Sequence, residues 1–129
     1  MKRTLVIGDI HGADRALQQV LERVGLTEND TLIFLGDYVD GWSQSKQVID
    51  RLISLDEKYH CIFIRGNHDT WCEAWLESGS LLDKWLFHGG ALTVQSYAGI
   101  TEEEKAKHLE FFQRMRNFHV DADNNLFIH

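Results

Sequence analysis

Three short stretches set aspartate, histidine and asparagine beside glycine: Gly8-Asp9-Ile10-His11-Gly12, Gly36-Asp37-Tyr38-Val39-Asp40-Gly41, and Arg65-Gly66-Asn67-His68-Asp69. Carboxylate oxygens, an amide oxygen and imidazole nitrogens together suit borderline first-row cations such as manganese, iron or zinc, whereas magnesium favours all-oxygen surroundings. A carboxylate between two such ions, about 3.5–4 Å apart, clamps the attacking and leaving oxygens of a displacement at phosphorus. Asp37 is the candidate bridge. A hydroxide of lowered pKa held there would be the nucleophile, and a nearby imidazole would protonate the leaving alkoxide. Any one of these residues alone reads as a turn or cap, because Asx side chains bond their own backbone. Three clusters that converge are harder to explain by capping.

Convergence depends on the elements between them. Thr4 to Ile7, Thr31 to Leu35 and Cys61 to Ile64 are short apolar runs that read as strands, and each runs into one of the clusters. Between the first two, Ala13, Ala16, Leu17, Val20, Leu21 and Val24 repeat at helical spacing and stop at Gly25. Ser43 is placed to cap a second helix carrying Val48, Ile49, Leu52, Ile53 and Leu55. Strands alternating with amphipathic helices imply βαβ units and a parallel sheet covered on both faces. In such a sheet, ligands gather at the carboxyl ends of the strands. Beyond Asn67 the pattern turns helical, with a Trp-rich segment, the pair Gly89-Gly90, and a capping box at Thr101 and Glu104. A hairpin is expected at the end, its two apolar runs joined across residues 121–125.

The 129 residues allow one domain with a real core, and 43 % hydrophobic with 26 % charged residues is ordinary for a globular protein. The apolar run after Lys2 and Arg3 is too short for a signal peptide or a membrane span, so the cytoplasm is the expected location. A net charge of −7 argues against a non-specific nucleic-acid binder. Cys61 and Cys72 fit no zinc or disulfide spacing, and buried reduced thiols are expected.

The three clusters, GDIHG, GDYVDG and RGNHD, resemble the GDxH, GDxxD and GNH signature of the calcineurin-like metallophosphoesterase superfamily. Asp37 lies 28 positions after Asp9, and Asn67 lies 30 after Asp37, which is the family's spacing. The motifs and the stretch WLFHGGALTVQSY look most like the bacterial serine/threonine protein phosphatase branch. The resemblance implies an α/β fold, the parallel βαβαβ half of a metallophosphoesterase sandwich, with a helical segment and a C-terminal strand or hairpin. It implies two divalent metal ions, with manganese first and iron or zinc as substitutes. Asp9 and His11 would bind one metal, Asp37 would bridge, and Asn67 would bind the second. His68 would be the general acid, held by Asp40. The family's next motif is a strand ending in histidine, which makes His129 the further ligand to the second metal. His88, in FHGG, is the rival, set aside because ALTVQSYA after it reads as helix.

Two departures shape the expectation. The family's last Gly-His motif has no counterpart, so residues 1–129 are expected to be the N-terminal part of a single metallophosphoesterase domain, with an open edge that favours self-association. The arginine that usually follows the second aspartate, and binds phosphate, is replaced by Gly41 and then Trp42. Arg65 is the nearest remaining cation in a motif and the candidate phosphate contact; Trp42 would stack on a base or an aromatic side chain, or simply shield the rim. The implied activity is hydrolysis of phosphoserine or phosphothreonine in a phosphoprotein. The alternatives are a diadenosine tetraphosphatase-like hydrolase acting on a small phosphorylated substrate, or an incomplete fragment that only binds metal or pairs with itself.

Overall fold

The computed structural model describes residues 1–129. Strand β1 (Thr4–Ile7) pairs in parallel with β2 (Thr31–Phe34), and β2 with β3 (His60–Phe63), in the spatial order 1-2-3. The connections are α1 (Asp14–Val24) and α2 (Ser45–Lys58). Two right-handed crossovers stepping the same way must lay both helices on one face. They do: Leu17 of α1 and Val48, Ile49 and Leu52 of α2 share a core with Leu32, Phe34 and Phe63. The second face is covered in part by the C-terminal strand and not by a helix. On the opposite face Ile33, Ile62 and Ile64 form a smaller cluster with Phe127 against it, while Val6 of β1 is 47 % exposed.

The helical second half begins at the third motif itself. Helix α3 (Asn67–Ser78) is followed by a single turn, α4 (Asp83–Trp85), and by a helical turn over Leu86–Gly90 that kinks at His88 and Gly89. Helix α5 (Ala91–Ser96) leads to α6 (Glu102–Gln113). The capping box of α6 forms as its spacing predicts, the Glu104 N–H donating to Thr101 Oγ1 at 3.1 Å. Antiparallel β4 (Phe118–Val120) and β5 (Leu126–Ile128) make the terminal hairpin. Just before it, Arg116 lies along the end of β3, its N–H donating to the Phe63 carbonyl and its carbonyl accepting from the Arg65 N–H. That pairing carries the hairpin to the sheet's second face.

Ser43 does not cap α2; the cap position is Gln44, with no side-chain bond. The hydroxyl of Ser45, one residue inside the helix, accepts the Asp40 N–H instead. Cys72 is fully buried and Cys61 partly so; burial drives the Cys72 thiol well up and the Cys61 thiol up to about 12, as expected of inert reduced cysteines. No helix is long and apolar enough to cross a membrane.

At the sheet's other end Arg3 grips both oxygens of buried Asp30, at 2.8 and 2.6 Å, and the Thr27 N–H donates to the same carboxylate at 2.9 Å. Arg3 first, and then Thr27, hold the Asp30 carboxyl down to about 2. A depressed native pKa stabilises the fold above the unfolded value of about 3.9 and loses that contribution as pH falls through the native value. The urea-midpoint gap between the native protein and Asp30→Asn is therefore expected to be full above about pH 5 and to shrink toward pH 2. A gap constant across that window would contradict the pairing.

Candidate metal centre

Each strand delivers its cluster through a turn that the other clusters help to hold. The N–H groups of Ile10 and His11 both donate to the Asp37 carbonyl, at 3.0 and 2.9 Å, and the Gly12 N–H donates to the Tyr38 carbonyl. The third loop is tied in by Asp69, which is fully buried. Its carboxylate accepts the N–H groups of Asp37, Tyr38 and Gly66 at 2.7, 2.9 and 2.8 Å. Burial pushes the Asp69 carboxyl up to about 7, and the three N–H donors pull it the other way. The Tyr38 hydroxyl, buried among these loops, donates to the Ile64 carbonyl at 2.7 Å.

Packing this close leaves little freedom. A Cβ at Gly66 would lie 2.1 Å from Asp37 Oδ1, so no other residue fits there. His11, Asp37 and Asp40 are three of the four non-glycine residues with positive φ, at 49, 57 and 72°. Such conformations cost on the order of 1–3 kcal/mol each and persist where the surroundings over-determine them. The strain is concentrated in the two motif loops.

The result is a tight group of potential ligands. One donor atom from each of Asp9, His11 and Asp37 lies within 4.8 Å of the others. His11 Nε2 is 3.4 Å from Asp9 Oδ2 and 3.7 Å from Asp37 Oδ2. On the other side His129 Nε2 is 3.4 Å from the same Asp37 Oδ2. Both imidazoles have Nδ1 against a backbone carbonyl, Val39 at 3.0 Å for His11 and Leu35 at 2.8 Å for His129. Those bonds make Nδ1 the donor in each ring and turn both Nε2 atoms toward one carboxylate oxygen, where a metal ion or a proton between them relieves the crowding of acceptors. The donor set fits divalent metal on both sides of Asp37.

Beside it His68 Nδ1 lies 2.7 Å from Asp40 Oδ2, and the His68 ring meets the His11 ring edge-on at 5.1 Å. Asp40 is fully buried and fully partnered: Trp85 Nε1 donates to Oδ2 at 2.7 Å, and the Thr93 hydroxyl donates to Oδ1 at 2.5 Å. A carboxylate fixed by three donors holds the imidazole's orientation. Gly89, at the kink, backs directly onto Asp40 and Gly41, where a Cβ would come within 2.8 Å of the Gly41 nitrogen.

The other expected residues divide. Asn67 opens α3 and is exposed, and the N–H of its neighbour His68 donates to Asp37 Oδ1 at 3.2 Å. His88 is exposed with its ring against Phe87, whereas His129 lies beside Asp9 and Asp37. Arg65 pairs with Glu73 and donates to the Phe112 carbonyl, so its guanidinium braces α3 against α6. The expectation that Arg65 contacts phosphate finds no support in these bonds. Trp85, Thr93 and Ser45 escaped the sequence reading, and Asp69 was seen in the third cluster without a role. Only Asp69 left a signal, three residues after the Gly66 cap.

A family model described as calcineurin-like phosphoesterase matches residues 2–129. The bis(5'-nucleosyl)-tetraphosphatase PrpE of Anoxybacillus flavithermus is 31 % identical over 111 residues, 79 % of this chain and 44 % of that protein. The serine/threonine-protein phosphatase 6 catalytic subunit of Drosophila melanogaster is 37 % identical over 67 residues, 50 % of this chain and 22 % of that protein. The chain thus spans less than half the length of these relatives. Among solved structures, a metallophosphoesterase from Sphaerobacter thermophilus superposes with a TM-score of 0.62 at 24 % identity, over 93 % of this chain and 43 % of the other. A Saccharomyces cerevisiae protein serine/threonine phosphatase gives 0.62 at 17 % identity, over 98 % and 40 %. Both likenesses concern the fold.

Proposed function

The chain belongs to the calcineurin-like phosphoesterase family, and from that premise we propose that it hydrolyses phosphate esters or anhydrides at a dinuclear centre held by Asp9, His11, Asp37, Asn67 and His129. The observation that carries this reading is Asp37 Oδ2 lying between His11 Nε2 and His129 Nε2, at 3.7 and 3.4 Å. Two divalent cations, when bound, supply a nucleophilic hydroxide near neutral pH and stabilise the attacking and leaving oxygens at phosphorus. Manganese suits the mixed nitrogen and oxygen donors, with iron or zinc as substitutes.

The chain's own residues do the rest. Asp9 and Asp37 contribute charge, and the Val39 and Leu35 carbonyls keep the two imidazoles in the metal-binding tautomer. His68 carries a proton on Nε2 to the leaving oxygen as the P–O bond breaks. Asp40 stabilises the imidazolium through Nδ1, and Trp85 and Thr93 hold Asp40.

Two substrate classes are open, matching the two kinds of relative. A phosphoserine or phosphothreonine peptide is the reading suggested by the motif branch. A dinucleoside polyphosphate is favoured by Gly41 and Trp42 standing where an arginine is expected, with Arg65 engaged by Glu73. Turnover of a phosphoserine peptide and of diadenosine tetraphosphate, each with manganese and after chelation, separates them. Manganese-dependent release from either supports the hydrolase, and the higher kcat/KM names the class. Chelator-insensitive turnover would refute the metal mechanism.

A further inference from the structure

Asp40 fixes one atom of the His68 ring, Nδ1 at 2.7 Å, and a single hydrogen bond still lets the ring turn about it. Two aromatic neighbours limit that turn. The His11 ring meets His68 edge-on at 5.1 Å, and the Trp71 indole meets it edge-on at 5.0 Å with the planes 72° apart. Trp71 arrives there by helix geometry: it follows His68 by three residues on α3, so the two side chains share a face. A further turn along, Trp75 packs on Trp85 with ring centroids 5.7 Å apart. The short α4 closes over both supports of His68. Lys84 Nζ stands 5.8 Å from the centre of the Trp71 ring, and the next residue, Trp85, donates from Nε1 to Asp40. The indole of Trp71 itself is only partly buried, packed on the edge of the main core.

We infer that Trp71 is a positioning residue for the general acid: its edge-on contact fixes the plane of the His68 ring, and with it the direction of Nε2, while Asp40 fixes Nδ1. This rests on the reading of His68 as the proton donor to the leaving oxygen. Trp71 neither gives nor takes a proton; it keeps the proton on Nε2 aimed at the oxygen as the P–O bond breaks. Proton transfer needs the donor within hydrogen-bond reach of the departing atom. A displacement of about 1 Å can cost on the order of 10²-fold in rate. Edge-on aromatic pairs are directional as well as apolar, so an aliphatic side chain fills the space without holding the ring plane. A tryptophan that served only to pack α3 would be replaced by leucine with no change in the preference for leaving group.

Two readouts on Trp71→Leu and Trp71→Phe test this, one of them without metal. In chelator at a fixed pH, proton NMR of the native protein is expected to show the His68 Nδ1 proton as a resolved downfield resonance, missing in His68→Gln, because the bond to buried Asp40 slows its exchange with water. Trp71→Leu should broaden that resonance through faster exchange, and Trp71→Phe should keep it. In manganese, Trp71→Leu should lower kcat on phenyl phosphate by roughly 10- to 100-fold, up to the cost of a misplaced group, with KM little changed. On p-nitrophenyl phosphate, nearly the same shape with a less basic leaving oxygen, it should lose far less. Trp71→Phe should recover most of the kcat on phenyl phosphate, and Trp71→Leu should add nothing further in a His68→Ala background. A resonance absent from the native protein or as sharp in Trp71→Leu, or equal losses on the two esters, overturns the positioning role. A resonance that depends on Trp71, in a protein that turns over neither ester nor diadenosine tetraphosphate with manganese, keeps Trp71 as the holder of the ring and refutes the hydrolase.

Discussion

Asp37→Asn is expected to abolish both cation positions together, each losing more than the roughly 10- to 100-fold that follows from removing an outer hydrogen-bond partner of a metal ligand. Asp37 Oδ2 lies within 4 Å of both His11 Nε2 and His129 Nε2. Asparagine keeps the shape and tolerates the left-handed φ of 57°, but it removes the charge on which both ions depend. A calorimetric manganese titration after chelation should show two ions in the native protein and none at comparable concentration in the variant. His11→Ala should remove one ion, and His129→Ala the other. The metal-free fold should not suffer from Asp37→Asn, because without cations the carboxylates of Asp9 and Asp37 crowd the same small space. Urea unfolding in chelator therefore separates a lost site from a lost fold. Loss of a single ion in Asp37→Asn would show that Asp37 is not shared.

The meeting of the first two clusters was legible because each lies shortly after the end of a strand. The register of a parallel sheet brings the ends of β1, β2 and β3 together, so Asp9, His11 and Asp37 meet once the three apolar runs are recognised. His129 was reached only through the family's strand-then-histidine pattern, because β5 lies in the separate hairpin and not in the parallel sheet. The cage around Asp40 was not legible. Trp85 and Thr93 arrive 45 and 53 residues later, from helical turns whose approach depends on the kink at His88 and Gly89. Nothing in local periodicity encodes such a bend. What covers each face was not legible: fully apolar strands suggest two covered faces, but the 1-2-3 order puts both crossover helices on one and leaves the other to the hairpin. The pairing of Arg65 with Glu73 was not legible either, because Glu73 lies two helical turns on, where spacing alone assigns no role.

His68→Ala is expected to lower kcat by about 10²- to 10⁴-fold on a substrate with a poor leaving group, the range for a lost general acid, while manganese still binds two per chain. The position of His68 separates these effects: its ring stands 5.1 Å from that of His11, yet its only side-chain hydrogen bond is to Asp40. It adjoins the centre without belonging to the ligand set around Asp37 Oδ2. A serine alkoxide or a nucleoside phosphate differs from nitrophenolate in how much it needs a proton as it leaves. On p-nitrophenyl phosphate the variant should therefore lose far less, and the gap between substrates is the signature of proton donation. Asp40→Asn should reproduce the same substrate dependence, since an amide cannot stabilise the imidazolium. It should also cost stability, because one oxygen that now accepts from Trp85 or Thr93 is replaced by a donor in a buried cage. Equal losses on both substrates in His68→Ala would assign His68 to holding the phosphoryl group, and the proton would have to come from elsewhere.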